Sequence, residues 1–351
     1  MQALVLTSYS TLEMQDLPRP EPGPGEVRVD IRAVGICGSD VHGYDGSSGR
    51  RVPPLVMGHE ASGEIGAVGS GVEKWKPGDR VTFDSTVYRL DDWYSRRGQY
   101  NLSDGREVLG VATPDFSRNG CFAESVVMPA HILYRIPDGV PYEHAALVEP
   151  YGVAMHAVRL GDVEPGSAAV VVGCGTIGLC IVQVLAAAGL RHIVALDLDE
   201  QRRALARSMG ATHDIDPRDG GDAEVTRLLG SLTDGRGADC TFEAVGSSRP
   251  LNTAIAAVRR GGTVVLVGNI AAEATIPMQK VVTQQIRLQG SCAICGEFDQ
   301  VLALLAAGRL HPDLLVSRIA PLSNGPEWFQ RLHDAEPGLL KVILQPDRTS
   351  R

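Results

Sequence analysis

An apolar run at 168–172 passes directly into Gly173-Cys174-Gly175-Thr176-Ile177-Gly178, and the next apolar run, His192–Leu196, ends at Asp197. Few spacings restrict a fold as tightly. The first glycine permits a tight turn, the second lets the backbone approach a pyrophosphate, and the third lets a helix pack closely on the strand. The helix N-terminus that follows offers free N–H groups and a partial positive charge. An acidic residue about twenty positions on can accept hydrogen bonds from the adenosine ribose hydroxyls. Asp197 would repel a 2′-phosphate, which favours NAD over NADP. The alternatives are a glycine-rich turn in an unrelated α/β protein, or a site for another adenosine cofactor such as S-adenosylmethionine.

The surrounding pattern extends the same reading. A helix is predicted over 175–189, an amphipathic helix over 200–209, short strands at 240–242 and 263–267, and a helix at 251–258 between them. Strands alternating with helices at this spacing imply a parallel sheet with crossover helices. The first ~150 residues differ in period and breaker density. Segment 27–34 alternates like a half-buried strand, 64–69 and 80–83 read similarly, and turns such as Pro22-Gly23-Pro24-Gly25 and Pro77-Gly78-Asp79 separate them. After a predicted helix at 298–307, a β-leaning tail ending at 339–344 returns to the first texture. The domains are therefore expected at 1–150, 151–288 and 289–351, the last rejoining the first.

Composition removes several function classes. With 33 basic and 42 acidic side chains the chain carries a formal charge of −9, unlike a general nucleic-acid binder, which needs a basic surface. Segment 168–190 is long and apolar enough to raise a membrane span. Its glycines, Gln183 and opening β-branched run instead fit a buried strand, turn and helix. The N-terminal Met-Gln-Ala-Leu-Val-Leu has no basic leader, so a soluble, cytoplasmic protein with no membrane partner is expected. Seven cysteines spread over 351 residues suggest a reducing compartment with a metal site among the thiols.

Two motifs bear on that metal: Gly35-Ile36-Cys37-Gly38-Ser39-Asp40-Val41-His42 and Gly58-His59-Glu60. Leu147-Val148-Glu149-Pro150 supplies a further carboxylate. Thiolate, imidazole and carboxylate are the donors of a zinc site that keeps one position open. Taken singly, Cys37 reads more readily as a core thiol, His59 as a satisfied histidine, and Glu60 or Glu149 as a solvated charge.

Together these blocks, with Lys76-Pro77-Gly78-Asp79-Arg80-Val81 and Leu340-Lys341-Val342-Ile343-Leu344, resemble the zinc-containing medium-chain dehydrogenases, most closely the sorbitol, polyol and threonine dehydrogenase branch. The resemblance spans the chain and keeps the order of every block. It implies a GroES-like catalytic domain, an inserted Rossmann nucleotide-binding domain with a doubly wound parallel sheet, and a C-terminal return to the catalytic domain. It implies one catalytic zinc on Cys37, His59 and Glu60, with Glu149 either a ligand or bonded to the zinc water. Ser39 and His42 match the family's proton relay. Gly173, Gly175, Thr176, Ile177 and Gly178 match its pyrophosphate turn, and Asp197 the ribose acceptor. Arg202 falls near the adenine, while Val267-Gly268-Asn269 and Ser291-Cys292 fall on segments lining the nicotinamide. A homodimer or homotetramer is implied as well.

The family's four structural-zinc cysteines map onto Arg89, Asp92, Ser95 and Ser103, none of which can act as a thiolate, so no structural zinc is expected. Arg–Asp pairing in this charged lobe is expected to replace part of that staple, the alternative being a solvated loop. Cys292-x-x-Cys295 is a single CxxC, expected to pack and line a pocket rather than act in redox. Cys121, Cys174, Cys180 and Cys240 read as buried small hydrophobes.

The reaction expected is reversible oxidation of a secondary alcohol, a polyol, sugar alcohol or cyclic polyol, to a ketone, with hydride passing to the nicotinamide held across a cleft between domains. Animal-type sorbitol dehydrogenases carry an Arg-Tyr pair where this chain has Ala293-Ile294, and Gly43 follows His42 where many relatives place an aromatic. Both departures weaken a sorbitol-specific assignment and leave threonine or a diol as alternative substrates. A zinc-independent quinone reductase and a non-catalytic NAD-binding protein are the competing readings. The ligand set and Ser39 with His42 argue against both.

Overall fold

Alternating side chains build the first unit. In the strand Glu26–Gly35, Val27, Val29, Ile31 and Ala33 face inward while Arg28, Asp30 and Arg32 face out, the period of two expected of a half-buried strand. A computed structural model describes residues 1–347. They separate into two compact units, one comprising Met1–Glu149, Ile294–Gly308 and the chain from Leu315 on, the other Pro150–Ala293 and Arg309–Leu314.

The sheet of the first unit runs in the order Leu133–Arg135, Arg80–Phe83, Glu60–Val68, Glu26–Gly35, Lys341–Gln345, Val316–Pro321. The strand Ser125–Pro129 also pairs with Glu26–Gly35. The last strand thus inserts beside one of the first, with Ile343 opposite Gly35. Leu4, Val29, Met57, Phe83, Phe122, Phe329 and Leu344 belong to one continuous core. The tail is less purely β than its sequence suggested. It carries the helix Gly325–His333, which buries Trp328 and Phe329.

In the second unit six parallel strands run His213–Ile215, His192–Leu196, Ala168–Val172, Ala238–Glu243, Val258–Leu266, Arg287–Gly290. This doubly wound order reverses direction beside Ala168–Val172, the place where such sheets bind nucleotides. Segment 168–190 resolves into that strand, a glycine turn and the helix Thr176–Ala187. No helix among the described residues is long and apolar enough to cross a membrane.

The charged lobe is held by an acid–hydroxyl network. Asp92 accepts from the Ser95 backbone N–H at 2.7 Å, from Ser95 Oγ at 3.3 Å and from Ser103 Oγ. Ser103 Oγ in turn accepts from the Arg89 N–H at 3.4 Å. Of the four positions that the resemblance matches to structural-zinc cysteines, Asp92, Ser95 and Ser103 therefore meet through side chains, and Arg89 joins through its backbone. The expected Arg–Asp pairing is present as Arg89–Asp91 at 3.2 Å, but both side chains are about two-thirds exposed, where such a pair contributes ~0–1 kcal/mol. Tyr100 anchors the lobe by stacking on Tyr88 at 4.2 Å and donating to Asp84 at 2.8 Å. Asp92→Ala is accordingly expected to speed tryptic cleavage at Arg96 and Arg97, and Asp91→Ala to leave it unchanged, as read by timed proteolysis and mass spectrometry.

Candidate active site and cofactor cradle

Cys37 ends the turn after Glu26–Gly35 and immediately precedes the short helix Gly38–Tyr44, which carries Ser39 and His42 one turn apart. His59 and Glu60 open the strand Glu60–Val68. The two motifs, about twenty residues apart in sequence, come together: the ligating atoms of Cys37, His59 and Glu60 lie within 4.8 Å of one another. His59 and Glu60 are buried, Cys37 is half-buried, and Ser39 and His42 are exposed. Burial therefore falls from His59 and Glu60 to Cys37 at the edge of the cluster.

Buried charges organise it. Glu60 is 1% exposed and its oxygens accept from Lys341 Nζ at 2.8 and 2.7 Å. Lys341 also donates to the Ile36 carbonyl at 3.0 Å. Asp40 accepts from the Cys37 backbone N–H at 3.3 Å and faces both Arg51 Nη2, at 3.3 Å, and His59 Nδ1, at 3.4 Å. Burial alone would raise the Asp40 carboxyl, but His59 and Arg51 hold it down at about 2. Burial would lower His59, yet Asp40 and Cys37 outweigh it and raise the imidazole well above its ordinary value. Glu149 sits in the first turn of Val148–Leu160 and accepts from Ser85 Oγ at 3.3 Å. Burial, with Glu60 and Asp84 nearby, pushes its carboxyl up to about 7.

This cluster fits zinc. Its donor set is that of an open catalytic site, and it concentrates acidic groups around an imidazole. His59 Nδ1 is buried without a hydrogen bond, beside a carboxylate placed to accept from it once the other ring nitrogen is engaged. Glu149 stands outside the three-residue group, near enough to respond to the charges of His59 and Glu60.

The second unit builds a cradle for a dinucleotide. Gly173 has φ +94° and Gly178 packs so tightly that a Cβ would lie 1.8 Å from the Gly173 carbonyl oxygen. Gly175 is different: its φ is −70° and a Cβ there would meet nothing within 4 Å. Neither conformation nor packing requires glycine at that helix N-terminus, whereas a ligand lying against the backbone would. Asp197 follows the second strand and accepts from the backbone N–H groups of Cys174, at 2.7 Å, and Asp199, at 2.9 Å. This ties the acid to the glycine turn. Thr176 and Ile177 form the first turn of the helix. Arg202 is exposed, 3.9 Å from Asp199. Val267 and Gly268 donate to the Glu243 carbonyl, each at 2.9 Å, and a Cβ on Gly268 would strike Gly246 N at 2.1 Å, so Asn269 follows a closely packed crossing of two loops. Ser291 Oγ is buried without a partner, and Cys292 is half-buried. No disulfide joins any of the seven cysteines, and Cys121, Cys174, Cys180, Cys240 and Cys295 are buried.

Sequence reasoning passed over three residues. Asp40 stood inside a quoted motif without a role, and its place three residues after Cys37 was the available signal. Lys341 likewise stood in a quoted block without a role, and the burial of Lys341 and Arg51 depends on tertiary packing.

The comparisons agree with this architecture. Residues 23–138 match the family model for the alcohol dehydrogenase GroES-like domain, and residues 176–307 that for zinc-binding dehydrogenases. The chain is 35% identical over 352 residues to sorbitol dehydrogenase of Gallus gallus, covering 99% of this chain and 97% of that protein. It is 33% identical over 353 residues to sorbitol dehydrogenase of Bacillus subtilis (strain 168), covering 99% and 98%. The crystal structure of 2R,3R-butanediol dehydrogenase from Bacillus subtilis superposes with a TM-score of 0.88 at 32% identity, covering 99% of each chain. The chain belongs to the zinc-containing medium-chain dehydrogenases, in their polyol dehydrogenase branch. It is an enzyme, a zinc- and nicotinamide-dependent oxidoreductase of alcohols.

Two outcomes follow from this geometry. Lys341→Met leaves the Glu60 carboxylate buried and unpaired, and should lower the unfolding free energy of metal-stripped protein by about 3–5 kcal/mol. Denaturant titration reads this, with Glu60→Gln recovering part of the loss. Gly175→Val should keep its melting temperature yet bind NADH at least about tenfold more weakly by fluorescence titration, since only the ligand's space is filled. Gly178→Ala should instead melt earlier, since the clash is internal.

Proposed function

We propose that this enzyme oxidises a polyol or other secondary alcohol bearing neighbouring hydroxyls to the ketone, with NAD rather than NADP as acceptor. The observation that carries the reading is the convergence of Cys37, His59 and Glu60 into one cluster, with Ser39 and His42 exposed on the helix that follows Cys37. The relatives named for sorbitol and 2R,3R-butanediol both act, by those names, on secondary alcohols. Ala293-Ile294 offers no side-chain donor to a polyol, and Ile294 is buried. The selectivity of animal sorbitol dehydrogenases is therefore not expected here, and vicinal diols belong among the substrates.

Cys37, His59 and Glu60 would hold the zinc. When bound, zinc polarises an alcohol oxygen and the nicotinamide accepts the hydride. The chain's residues do the rest. Ser39, exposed at the start of its helix, takes the alcohol proton. His42, one turn further on the same helix face, passes the proton to solvent. Asp40 orients His59, and Lys341 holds Glu60. Asp197 accepts from the ribose hydroxyls and disfavours a 2′-phosphate, and the backbone at Gly175 receives the pyrophosphate.

The test is a screen of polyols, vicinal diols and threonine with NAD, followed as NADH absorbance, before and after zinc removal with dipicolinate. Turnover of secondary alcohols should vanish on chelation and return with added zinc. Turnover that persists without metal would sink the reading. Asp197→Ser should lower the ratio of kcat/KM with NAD to that with NADP by at least about tenfold, in line with the loss of one charged hydrogen-bond acceptor.

A further inference from the structure

Gly43 and Arg51 are coupled through space. A Cβ on Gly43 would lie 2.1 Å from Arg51 Cγ and 2.8 Å from Arg51 Cβ. The bare helix backbone at 43 is what lets the arginine stem cross the helix. The segment bearing Arg51 is pinned beside Ala112, whose N–H donates to the Arg50 carbonyl at 3.2 Å and whose carbonyl accepts from Val52 at 3.4 Å. The side chain is 4% exposed and runs back toward the metal cluster.

A buried guanidinium is costly unless paired. Asp40, fully buried, supplies the counter-charge at 3.3 Å, and the Arg50 carbonyl accepts from Nη1 at 3.2 Å. Nε is buried without a partner. That pairing accounts for the burial, but not for the other contact: Arg51 Nη2 also donates to Ser39 Oγ at 3.2 Å. Guanidinium nitrogens only donate, and a serine hydroxyl has one hydrogen and two lone pairs. One lone pair of Ser39 is thus committed to Arg51, and its hydrogen points elsewhere, on a residue whose other side is exposed.

We propose that Arg51 is a positioning residue for proton transfer: it sets the polarity of the Ser39 hydroxyl, so that Oγ accepts the alcohol proton while its own hydrogen passes outward. The balance is simple. The O–H bond of the alcohol breaks, a new O–H bond forms on Ser39, the original Ser39 O–H breaks toward the next acceptor, and Ser39 ends unchanged. Without Arg51 the hydroxyl is free to rotate and to donate toward the alcohol oxygen, the wrong sense for oxidation. This inference rests on the placing of Ser39 in the proton path.

The experiment is a double-mutant cycle of Ser39→Ala and Arg51→Met, with Arg51→Lys and Gly43→Ala as variants that keep a cation or displace the guanidinium without removing it. NADH binding, zinc content and the visible spectrum of cobalt-substituted protein are measured on each. Arg51→Met should lower kcat about tenfold, within the range of a proton-transfer contribution, with KM changed less than about threefold, and should slow the proton release seen with a pH indicator in a single turnover. The double variant should be no slower than Ser39→Ala alone, Gly43→Ala should share the defect, and the cobalt bands should not move. Ethylguanidinium should restore part of the rate to Arg51→Ala. Additive effects in the cycle, or cobalt bands that shift, would overturn the proposal by assigning Arg51 to the fold or to the metal ligands. An unaffected Ser39→Ala enzyme would instead overturn the proton path itself. If Arg51→Met does not fold, the cycle is run with Arg51→Lys.

Discussion

The first unit is organised around one buried ion pair. Glu60 and Lys341 are each almost wholly withdrawn from solvent, and both carboxylate oxygens accept from the same ammonium. Such a pair contributes little net stability but is severely destabilising when half of it is lost. It therefore specifies more than it stabilises. Glu60 opens the strand beside Glu26–Gly35 and Lys341 opens the strand on that strand's other edge, so the pair bridges across Gly35. Gly35 must be bare for this to happen, since a Cβ there would lie 2.4 Å from Glu60 Oε2. The C-terminal return is thus written into the proposed zinc cluster: a residue 281 positions downstream of Glu60 holds its carboxylate in place.

Glycines at the two sites obey four different constraints, and separating them bears on function. Gly173 answers to conformation and Gly178 to packing, so either would be required in an α/β protein that bound nothing. Gly175 answers to neither. Its ordinary backbone angles and the empty space before it leave room for a ligand to approach the helix N-terminus. Gly43 answers to a neighbouring side chain, giving up its own volume to Arg51. An aromatic residue at that position could not coexist with the Arg51 seen here.

Much of this was legible in the sequence because it is local. The strands Ala168–Val172 and His192–Leu196 and the helix between them are fixed by a continuous apolar run, a glycine turn and a second run. The Cys37 and His59–Glu60 motifs were visible as donor types, although only the pairing of Glu26–Gly35 with Glu60–Val68, which sets Gly35 opposite Glu60, brings them together. What escaped was non-local. The helix Gly325–His333 hides in a tail with turn residues on both sides, because its two buried aromatics fall one after the other rather than in a long stripe. Arg51 and Lys341 are charged residues whose burial no period announces. In the lobe, counting charges pointed to Arg–Asp pairs, whereas a less conspicuous acid, Asp92, meets two serines. A carboxylate accepting from a backbone N–H and two hydroxyls needs no long side chain to be immobilised, so it outcompetes a solvated Arg–Asp pair as a staple.

The exposure gradient across the cluster gives the chemistry a direction. Asp40, His59 and Glu60 lie in the dry interior, Cys37 at its edge, and Ser39 and His42 outside. Hydrogen bonds and charges count for more where water is excluded, so the groups that define the proposed ligand sphere are fixed most firmly, while those proposed to move protons stay near solvent. Arg51 spans the two regions, with its stem and Asp40 contact inside and its bond to Ser39 at the boundary. Gly43 lies beside this core rather than within the donor set, giving up its volume to Arg51, so a side chain there would alter how a proton is received without changing the donors themselves.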